Sequence, residues 1–208
     1  MSNRFAVLMD GGFATKRLRV MKGRGALPVG ADEVVAHVLR LTHHERLESL
    51  NLFRLYYYDA LPYDGKSVNP ISKKKVDFSK TAVASQGLSL LDALELSPDV
   101  AVRRGVTVMS GWKLGSRAMS SLMKKQRPIT APDLEPNIRQ KGVDLRIGLD
   151  MASIALKRIV GTVVLVSGDA DLIPAMKFAR KEGIRVYLDP MGSSNVSREM
   201  RVHADFVF

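Results

Sequence analysis

Short apolar runs alternate along this chain with longer stretches in which the apolar residues recur at helical spacing. The short runs predict buried strands, because continuous apolar segments of four to eight residues are typical of parallel sheets. The longer stretches predict helices. The predicted strands are residues 4–9, 52–58, 100–109, 163–167, 185–188 and 206–208, and the predicted helices are 31–47, 81–96, 143–159, 171–181 and 194–203.

Two segments are predicted to be loops, residues 59–80 and residues 110–140. The second holds two glycines and three prolines, which is unfavourable for a regular element (Gly111, Gly115, Pro128, Pro132 and Pro136). A tight turn is predicted at Asp10-Gly11-Gly12, directly after the first strand. Strands that alternate with helices predict an α/β fold with a mostly parallel sheet covered on both faces. A length of 208 residues fits one domain spanning 1–208.

The composition excludes several classes of functional site. The chain contains no cysteine, which excludes disulfides, Cys-ligated zinc, iron–sulfur clusters and thiol nucleophiles. No apolar run approaches the roughly 18 residues of a membrane span, and the first residues lack the long apolar centre of a secretory signal. We therefore expect a cytoplasmic protein without a membrane partner. The apolar content of a small α/β domain also suggests a homodimer.

Charge points to a polyanionic partner. The chain carries 32 Lys and Arg against 21 Asp and Glu, a net charge of +11. The excess lies in residues 1–30 (six basic, one acidic) and residues 60–142 (fourteen basic, seven acidic). Each basic cluster could be a solvated face, but together they favour a phosphate-contacting surface. Those named here are Lys16, Arg17, Arg19, Lys22 and Arg24, then Lys73–Lys75, Arg103, Arg104, Lys113, Arg117, Lys124, Lys125 and Arg127.

Carboxylates follow two of the predicted strands and open one helix. Asp10 ends the first strand, and Asp169 and Asp171 follow the strand at 163–167. Asp144 lies at the start of the helix predicted at 143–159. Ligands of open parallel sheets bind beyond the carboxyl ends of the strands, so these side chains can converge there. Grouped carboxylates repel one another unless a cation neutralises them, and oxygen ligands favour Mg²⁺ or Mn²⁺.

The same aspartates also have plain structural interpretations. Asp10, Asp169 or Asp171 could cap a turn or a helix, which is a common role for Asp. Asp144 could be a favourable charge in the first turn of a helix. Asp150 lies about 120° around the helix from Asp144, so we interpret it as a surface or supporting group. Two strand-terminal positions in one chain nevertheless favour a metal-dependent phosphodiesterase site.

The motifs resemble those of the NYN domain family, in particular its LabA-like (DUF88) branch within the PIN-like nucleases. They are FAVLMDGG (residues 5–12), KGVD (141–144), GLDM (148–151), VLVSGDADL (164–172) and GIRV (183–186), with a similar ending at 193–206. The resemblance runs through the whole chain in order. It differs at Phe13, where many NYN sequences carry Asn.

The resemblance implies a PIN-like three-layer α/β/α sandwich and a metal-dependent ribonuclease that hydrolyses RNA phosphodiester bonds. Its catalytic and metal-binding residues would be Asp10, Asp144, Asp169 and Asp171, with Mg²⁺ or Mn²⁺ as cofactor. Lys141 and Ser167 would contact the substrate or metal, and the basic segments that include Lys16 and Arg17 would hold the RNA backbone. Two alternatives stay open: an RNA-binding regulatory scaffold with little catalysis, and a small-molecule phosphohydrolase.

Overall fold

The computed structural model describes residues 2–23 and 25–208, so Arg24 of the first basic segment lies outside the described residues. Within them, seven strands form one sheet in the order β6-β5-β2-β1-β7-β8-β9. Every neighbouring pair is parallel except β5 and β6, which are antiparallel. The strands of this sheet are β1 (Arg4–Asp10), β2 (Asn51–Ala60), β5 (Val100–Leu114), β6 (Leu134–Lys141), β7 (Thr162–Val166), β8 (Arg185–Asp189) and β9 (Phe206–Val207). A separate hairpin pairs β3 (Lys66–Val68) with β4 (Lys75–Asp77).

Helices cover both faces of the sheet, which confirms the three-layer α/β/α prediction. Alternate residues of each strand point to opposite faces. Leu8, Tyr56 and Tyr58 therefore pack in one core, and Met9 and Tyr57 pack in the other. The helices are α1 (Gly11–Lys22), α2 (Ala31–Thr42), α3 (Ala82–Glu95), α4 (Ser116–Lys124), α5 (Val143–Leu156), α6 (Ile173–Lys181) and α7 (Arg198–Val202). Residues of α1, α2 and α3 line the second core, and residues of α5, α6 and α7 line the first.

The central strands form because their residues are apolar on both sides. All five residues of β7 are buried, as are Phe5 to Met9 of β1. Burying one such side chain contributes about 1.5–3 kcal/mol, so β1 and β7 anchor the middle of the sheet. A Cβ at Gly11 would lie 2.7 Å from the Tyr57 hydroxyl, so this glycine lets α1 pack closely on β2.

Residues 106–141 form an arm that extends past the carboxyl edge of the sheet. The first part of β5 pairs with β2 as far as Gly105, and the rest of β5 continues beyond the end of β2 and pairs with β6. β6 then returns along β5 until Lys141 lies opposite Val106. The arm is braced by the β3–β4 hairpin, because the Trp112 indole N–H donates to the Ser67 hydroxyl at 3.0 Å.

The loop prediction for residues 110–140 is wrong, and so is the one for 59–80. Gly111 has a φ of +76° and lies where the β5–β6 register shifts, so it forms a bulge within a strand. Pro136 is accommodated because β6 is an edge strand of the sheet. Residues 59–80 contain the β3–β4 hairpin.

The other predicted elements are present with shifted ends. The tight turn after β1 is instead the start of α1, since the two glycines open a helix. The helix predicted at 31–47 ends at Thr42, although Leu47 is still fully buried in the turns that follow. The helix predicted at 194–203 is a single short segment, Arg198–Val202. No helix within residues 2–23 and 25–208 is long and apolar enough to cross a membrane.

Candidate active site at the carboxyl edge of the sheet

Three chain segments bring carboxylates to the carboxyl edge of the sheet. β1 ends at Asp10, and the neighbouring strand β7 ends at Val166, one residue before Ser167. β6 returns to the same edge at Lys141, so that α5 begins there with Asp144 in its first turn. A Cβ at Gly105 would lie 3.0 Å from the Lys141 carbonyl oxygen, so a glycine is needed where the arm rejoins the sheet. Asp10, Asp144, Asp169 and Asp171 are called the aspartate cluster below.

Asp10 is held by both of its carboxylate oxygens. Oδ1 accepts a hydrogen bond from the Phe13 backbone N–H at 3.0 Å, which makes Asp10 the N-cap of α1. Oδ2 accepts from the Ser167 hydroxyl at 3.4 Å. The capping interpretation is therefore correct for Asp10. The capping hydrogen bond holds the carboxylate at the edge of the sheet, where it can still take part in a site.

The segment 167–171 is organised by its own side chains. The buried Ser167 hydroxyl accepts from the Asp169 N–H at 3.1 Å, and Asp169 Oδ1 accepts from the Asp171 N–H at 2.9 Å. Ser167 therefore links Asp10 to the Asp169 loop and is not exposed for direct contact with a polymer. The Phe13 ring packs on this loop, since a Cβ at Gly168 would lie 2.7 Å from its Cε2. Phe13 thus keeps the backbone contact to Asp10 and adds apolar packing.

Two carboxylates of the cluster, Asp10 and Asp144, have raised pKa values. Burial raises the pKa of Asp10, and the nearby carboxylates of Asp144 and Asp59 raise it further, against the hydrogen bonds from Phe13 and Ser167. Partial desolvation raises the pKa of Asp144, and Asp169 and Asp171 add to the effect. Asp144 is therefore close enough to Asp10 to act on it, and Asp169 and Asp171 are close enough to act on Asp144. Raised carboxylate pKa values of this kind are concentrated at functional sites.

The raised pKa of Asp10 gives a stability prediction in metal-free buffer. Because the folded-state pKa of Asp10 is raised, folding stability falls as pH rises through that pKa, and the penalty is absent below the unfolded pKa. Asn is as good an N-cap as Asp. We therefore expect Asp10→Asn to melt at a higher temperature than wild type at pH 7–8 in EDTA, with the gap closing toward pH 4. Thermal melts across this pH range test it, and an equal gap at every pH would contradict it.

The donor set suits a divalent cation. Among the described residues, no three His, Asp or Glu side chains are gathered closely enough to hold a metal ion by themselves. Mg²⁺ is commonly bound through one or two carboxylates, with waters and substrate phosphates completing its octahedron. Asp10 and Asp144 are the carboxylates that could hold such an ion, because burial and neighbouring carboxylates disfavour their anionic forms and a cation would relieve this.

Asp59 is a further carboxylate at this edge that the sequence predictions missed. It follows Tyr58, which pairs with Asp10 across β1 and β2. Burial raises the pKa of Asp59, against hydrogen bonds to its Oδ1 from the Ala60 N–H and the Gln140 amide, the latter at 2.6 Å. The signal was available, because Asp59 follows a buried strand just as Asp10 does.

A buried hydroxyl lies near these carboxylates. The Tyr57 side chain is fully buried, and its hydroxyl has no hydrogen-bond partner among the described residues. Burial raises the pKa of Tyr57, and the Asp59 and Asp10 carboxylates contribute to the same shift. Tyr56, Tyr57 and Tyr58 otherwise pack in the two cores, as the alternation along a strand predicts.

Asp150 lies in a separate network, as its position on the helix predicted. Its Oδ2 accepts from the Tyr58 hydroxyl at 2.9 Å and from Arg103 Nε at 3.0 Å. Burial raises the pKa of Tyr58, and the charge and hydrogen bond of Asp150 raise it further, against the positive charge of Arg103. Asp150 therefore ties α5 to β2 and β5.

Several residues of the predicted phosphate-contacting surface are paired within the molecule. Arg17 donates to the Met191 carbonyl oxygen at 2.9 and 3.1 Å, and Arg103 is bound to Asp150. Arg104, Lys113 and Arg127 form ion pairs with acidic residues nearby. Other basic side chains are exposed and form no ion pair with the described residues. These are Lys16 on α1, Lys141 at the end of β6, Lys73, Lys74 and Lys75 on the β3–β4 hairpin, and Arg117, Lys124 and Lys125 on the arm.

Comparison with known proteins matches this chain to a family model. The model for the NYN domain matches residues 63–208, which contain Asp144, Asp169 and Asp171. NYN domains belong to the PIN-like nuclease superfamily, whose members generally use divalent metals. One curated relative, the uncharacterized protein y4oD of Sinorhizobium fredii, is 42% identical over 50 residues. That stretch covers 24% of this chain and 23% of the relative.

A solved structure shares the fold over nearly the whole chain. The crystal structure of a protein of unknown function from Vibrio parahaemolyticus matches with a TM-score of 0.51 at 14% sequence identity. The match covers 99% of this chain and 91% of the other chain. At this identity the likeness concerns the fold alone.

Proposed function

Since the chain belongs to the NYN domain family, we propose that it is a metal-dependent ribonuclease that hydrolyses RNA phosphodiester bonds at the aspartate cluster. The observation that carries the proposal is the position of Asp10 and Asp144 at the carboxyl edge of the sheet, where burial and neighbouring carboxylates raise the pKa of both. Neighbouring carboxylates whose anionic forms are disfavoured are typical of a site that a divalent cation neutralises.

In this proposal Asp10 and Asp144 hold the ion, which is Mg²⁺ or Mn²⁺, and Asp169 and Asp171 complete the site. Such an ion supplies neutralisation of the phosphate charge and stabilisation of the leaving oxygen. Ser167 positions Asp10 through its hydrogen bond to Oδ2. Asp169 is oriented because its Oδ1 accepts the Asp171 N–H. These contacts fix the carboxylates before substrate arrives, which lowers the reorganisation needed during the reaction.

The exposed basic residues would bind the RNA backbone on either side of the cluster. Lys16 on α1 follows Asp10 by six residues, and Lys141 at the end of β6 precedes Asp144 by three. Lys124 and Lys125 extend the positive charge onto the arm. Each phosphate contact makes binding weaker at higher salt, because bound counterions are released. A net charge of +11 is explained by this role and would be unexplained for a small-molecule phosphohydrolase.

Removing the metal tests the proposal directly. We expect labelled single-stranded and structured RNA to be cut in Mn²⁺ or Mg²⁺ and to be left intact in EDTA, while RNA binding persists in EDTA. We also expect the metal to raise the melting temperature of wild type, since a ligand that binds only the folded state stabilises it. The Asp10→Asn variant should show little of that increase.

The outcomes separate the alternatives. RNA that is bound in a salt-dependent manner but not cut at any metal concentration would overturn the proposal and favour the regulatory scaffold. Turnover of nucleotides or phosphate monoesters without attack on RNA would favour the phosphohydrolase. Cleavage that is unaffected by EDTA would exclude a metal-dependent mechanism at the cluster.

A further inference from the structure

A cavity beside the aspartate cluster has the features of a nucleobase site. The edge cavity, as we call it, has a volume of about 530 Å³, inside the range of about 300–1,000 Å³ that is typical of ligand pockets. It lies between α1, α3 and the start of the arm, and its lining includes Asp59, Gln140, Tyr63, Arg19, Leu27 and Ile138. Apolar walls with a few polar groups are typical of sites that orient a small ring system.

The polar floor of the edge cavity adjoins Asp10. The Asp59 carboxylate is close enough to raise the pKa of Asp10. A Cβ at Gly12 would lie 3.4 Å from Asp10 Oδ1 and 3.6 Å from Gln140 Oε1, so both oxygens border the same point of the α1 N-terminus. A nucleotide with its base in this cavity would therefore have its phosphate near the aspartate cluster.

The chemistry of Asp59 and Gln140 determines which of their atoms donate and which accept hydrogen bonds in the edge cavity. A carboxylate can only accept, so the Gln140 atom 2.6 Å from Asp59 Oδ1 is the amide nitrogen, and Oε1 remains as an acceptor. Among the described residues, Asp59 Oδ1 receives both hydrogen bonds and Oδ2 receives none. The pair therefore offers two acceptor oxygens, Asp59 Oδ2 and Gln140 Oε1.

Among the four RNA bases, guanine is the one whose hydrogen-bond donors match a pair of acceptors. Guanine presents two adjacent donors on its Watson–Crick edge, N1–H and the N2 amino group. Adenine, cytosine and uracil present one donor group each on that edge. Tyr63 adds an aromatic ring to the cavity wall, and aromatic rings stack on nucleobases. The ring packs edge-on against Phe78, with 5.4 Å between the two ring centroids. Arg19 supplies a positive charge for the sugar–phosphate.

We propose that the edge cavity binds an unpaired guanine of the RNA, with Asp59 and Gln140 accepting hydrogen bonds from N1–H and N2–H₂. The inference takes its substrate class from the proposed ribonuclease function and adds a base preference to it. It predicts that cleavage of a randomised RNA enriches guanine at one fixed position beside the cut.

Binding of mononucleotides in Mg²⁺ tests this site without any need for cleavage, because the ion offsets the repulsion between the phosphate and the aspartate cluster. We expect calorimetric titration of the full chain to give tighter binding of GMP than of AMP, CMP or UMP, by about tenfold or more. IMP, which lacks the N2 amino group, should bind more weakly than GMP. Asp59→Asn replaces an acceptor by a donor and should abolish the preference for GMP while the protein stays folded.

A matched pair of variants locates the binding. Val83 lines the edge cavity and is exposed at the start of α3, so Val83→Trp should obstruct it and weaken GMP binding about tenfold or more. Val202→Trp changes an exposed valine on α7, outside the cavity lining, and should leave GMP binding unchanged.

Equal affinity for all four mononucleotides, or an unchanged GMP preference in Asp59→Asn, would overturn the inference. Cleavage of RNA without a base preference would overturn it too, and would leave the ribonuclease proposal standing. Selective binding of GMP by a protein that never cuts RNA would support the cavity assignment and refute the ribonuclease proposal.

Discussion

Asp10→Asn should lower the rate of RNA cleavage by about 10²–10³-fold and leave RNA affinity almost unchanged. A bound divalent ion contributes several kcal/mol of transition-state stabilisation, and each 1.4 kcal/mol is about a factor of ten in rate. The substitution removes the charge that attracts the ion but keeps a side chain of the same shape. Asn can still accept from the Phe13 N–H at the start of α1, so the fold at this edge should persist.

The matched control is Asp92→Asn, which removes the same charge from an exposed position on α3. Asp92 pairs with Arg104 at 3.4 Å and is not a member of the aspartate cluster. Exposed ion pairs contribute about 0–1 kcal/mol, so this variant should cleave RNA like wild type. Single-turnover cleavage rates and filter binding measure the two effects separately. Cleavage by Asp10→Asn at the wild-type rate would refute the assignment of the site.

The central strands, and the edge of the sheet at which their aspartates lie, could be predicted because they depend on local patterns. β1, β2 and β7 are short apolar runs of a kind that few other elements produce. Their aspartates come at the carboxyl end, where parallel sheets bind ligands. Asp59 was missed although it obeys the same rule, because the predicted strand ended at Tyr58 and the following segment was interpreted as a loop.

The arm could not be predicted because its stability depends on partners far away in the sequence. Gly111 and Pro136 discourage a strand locally, and both are tolerated once one forms a bulge and the other lies at the sheet edge. Counting charged residues along the sequence also could not predict that Arg103 pairs with Asp150, which lies 47 residues later. The predicted phosphate-contacting surface therefore included basic residues that are in fact paired within the molecule.

Asp144→Asn should reduce cleavage by about 10²-fold, and the double variant with Asp10→Asn should be little worse than Asp10→Asn alone. Asp144 is exposed in the first turn of α5, and its pKa is raised by desolvation and by Asp169 and Asp171. If Asp10 and Asp144 hold the same ion, losing either one removes most of its benefit. Residues that act as a unit are strongly non-additive in this way.

If Asp10 and Asp144 had independent roles, wild type, the two single variants and the double variant would give a different result. Two separate losses of about 10³-fold and 10²-fold would multiply to about 10⁵-fold in the double variant. Shared ligation predicts a double variant within about tenfold of Asp10→Asn. Adding Asp92→Asn to Asp10→Asn controls for net charge and should cause no further loss. A multiplicative result would mean that Asp144 acts apart from the ion, for example on the RNA backbone, and that α5 belongs to substrate binding rather than to the metal site.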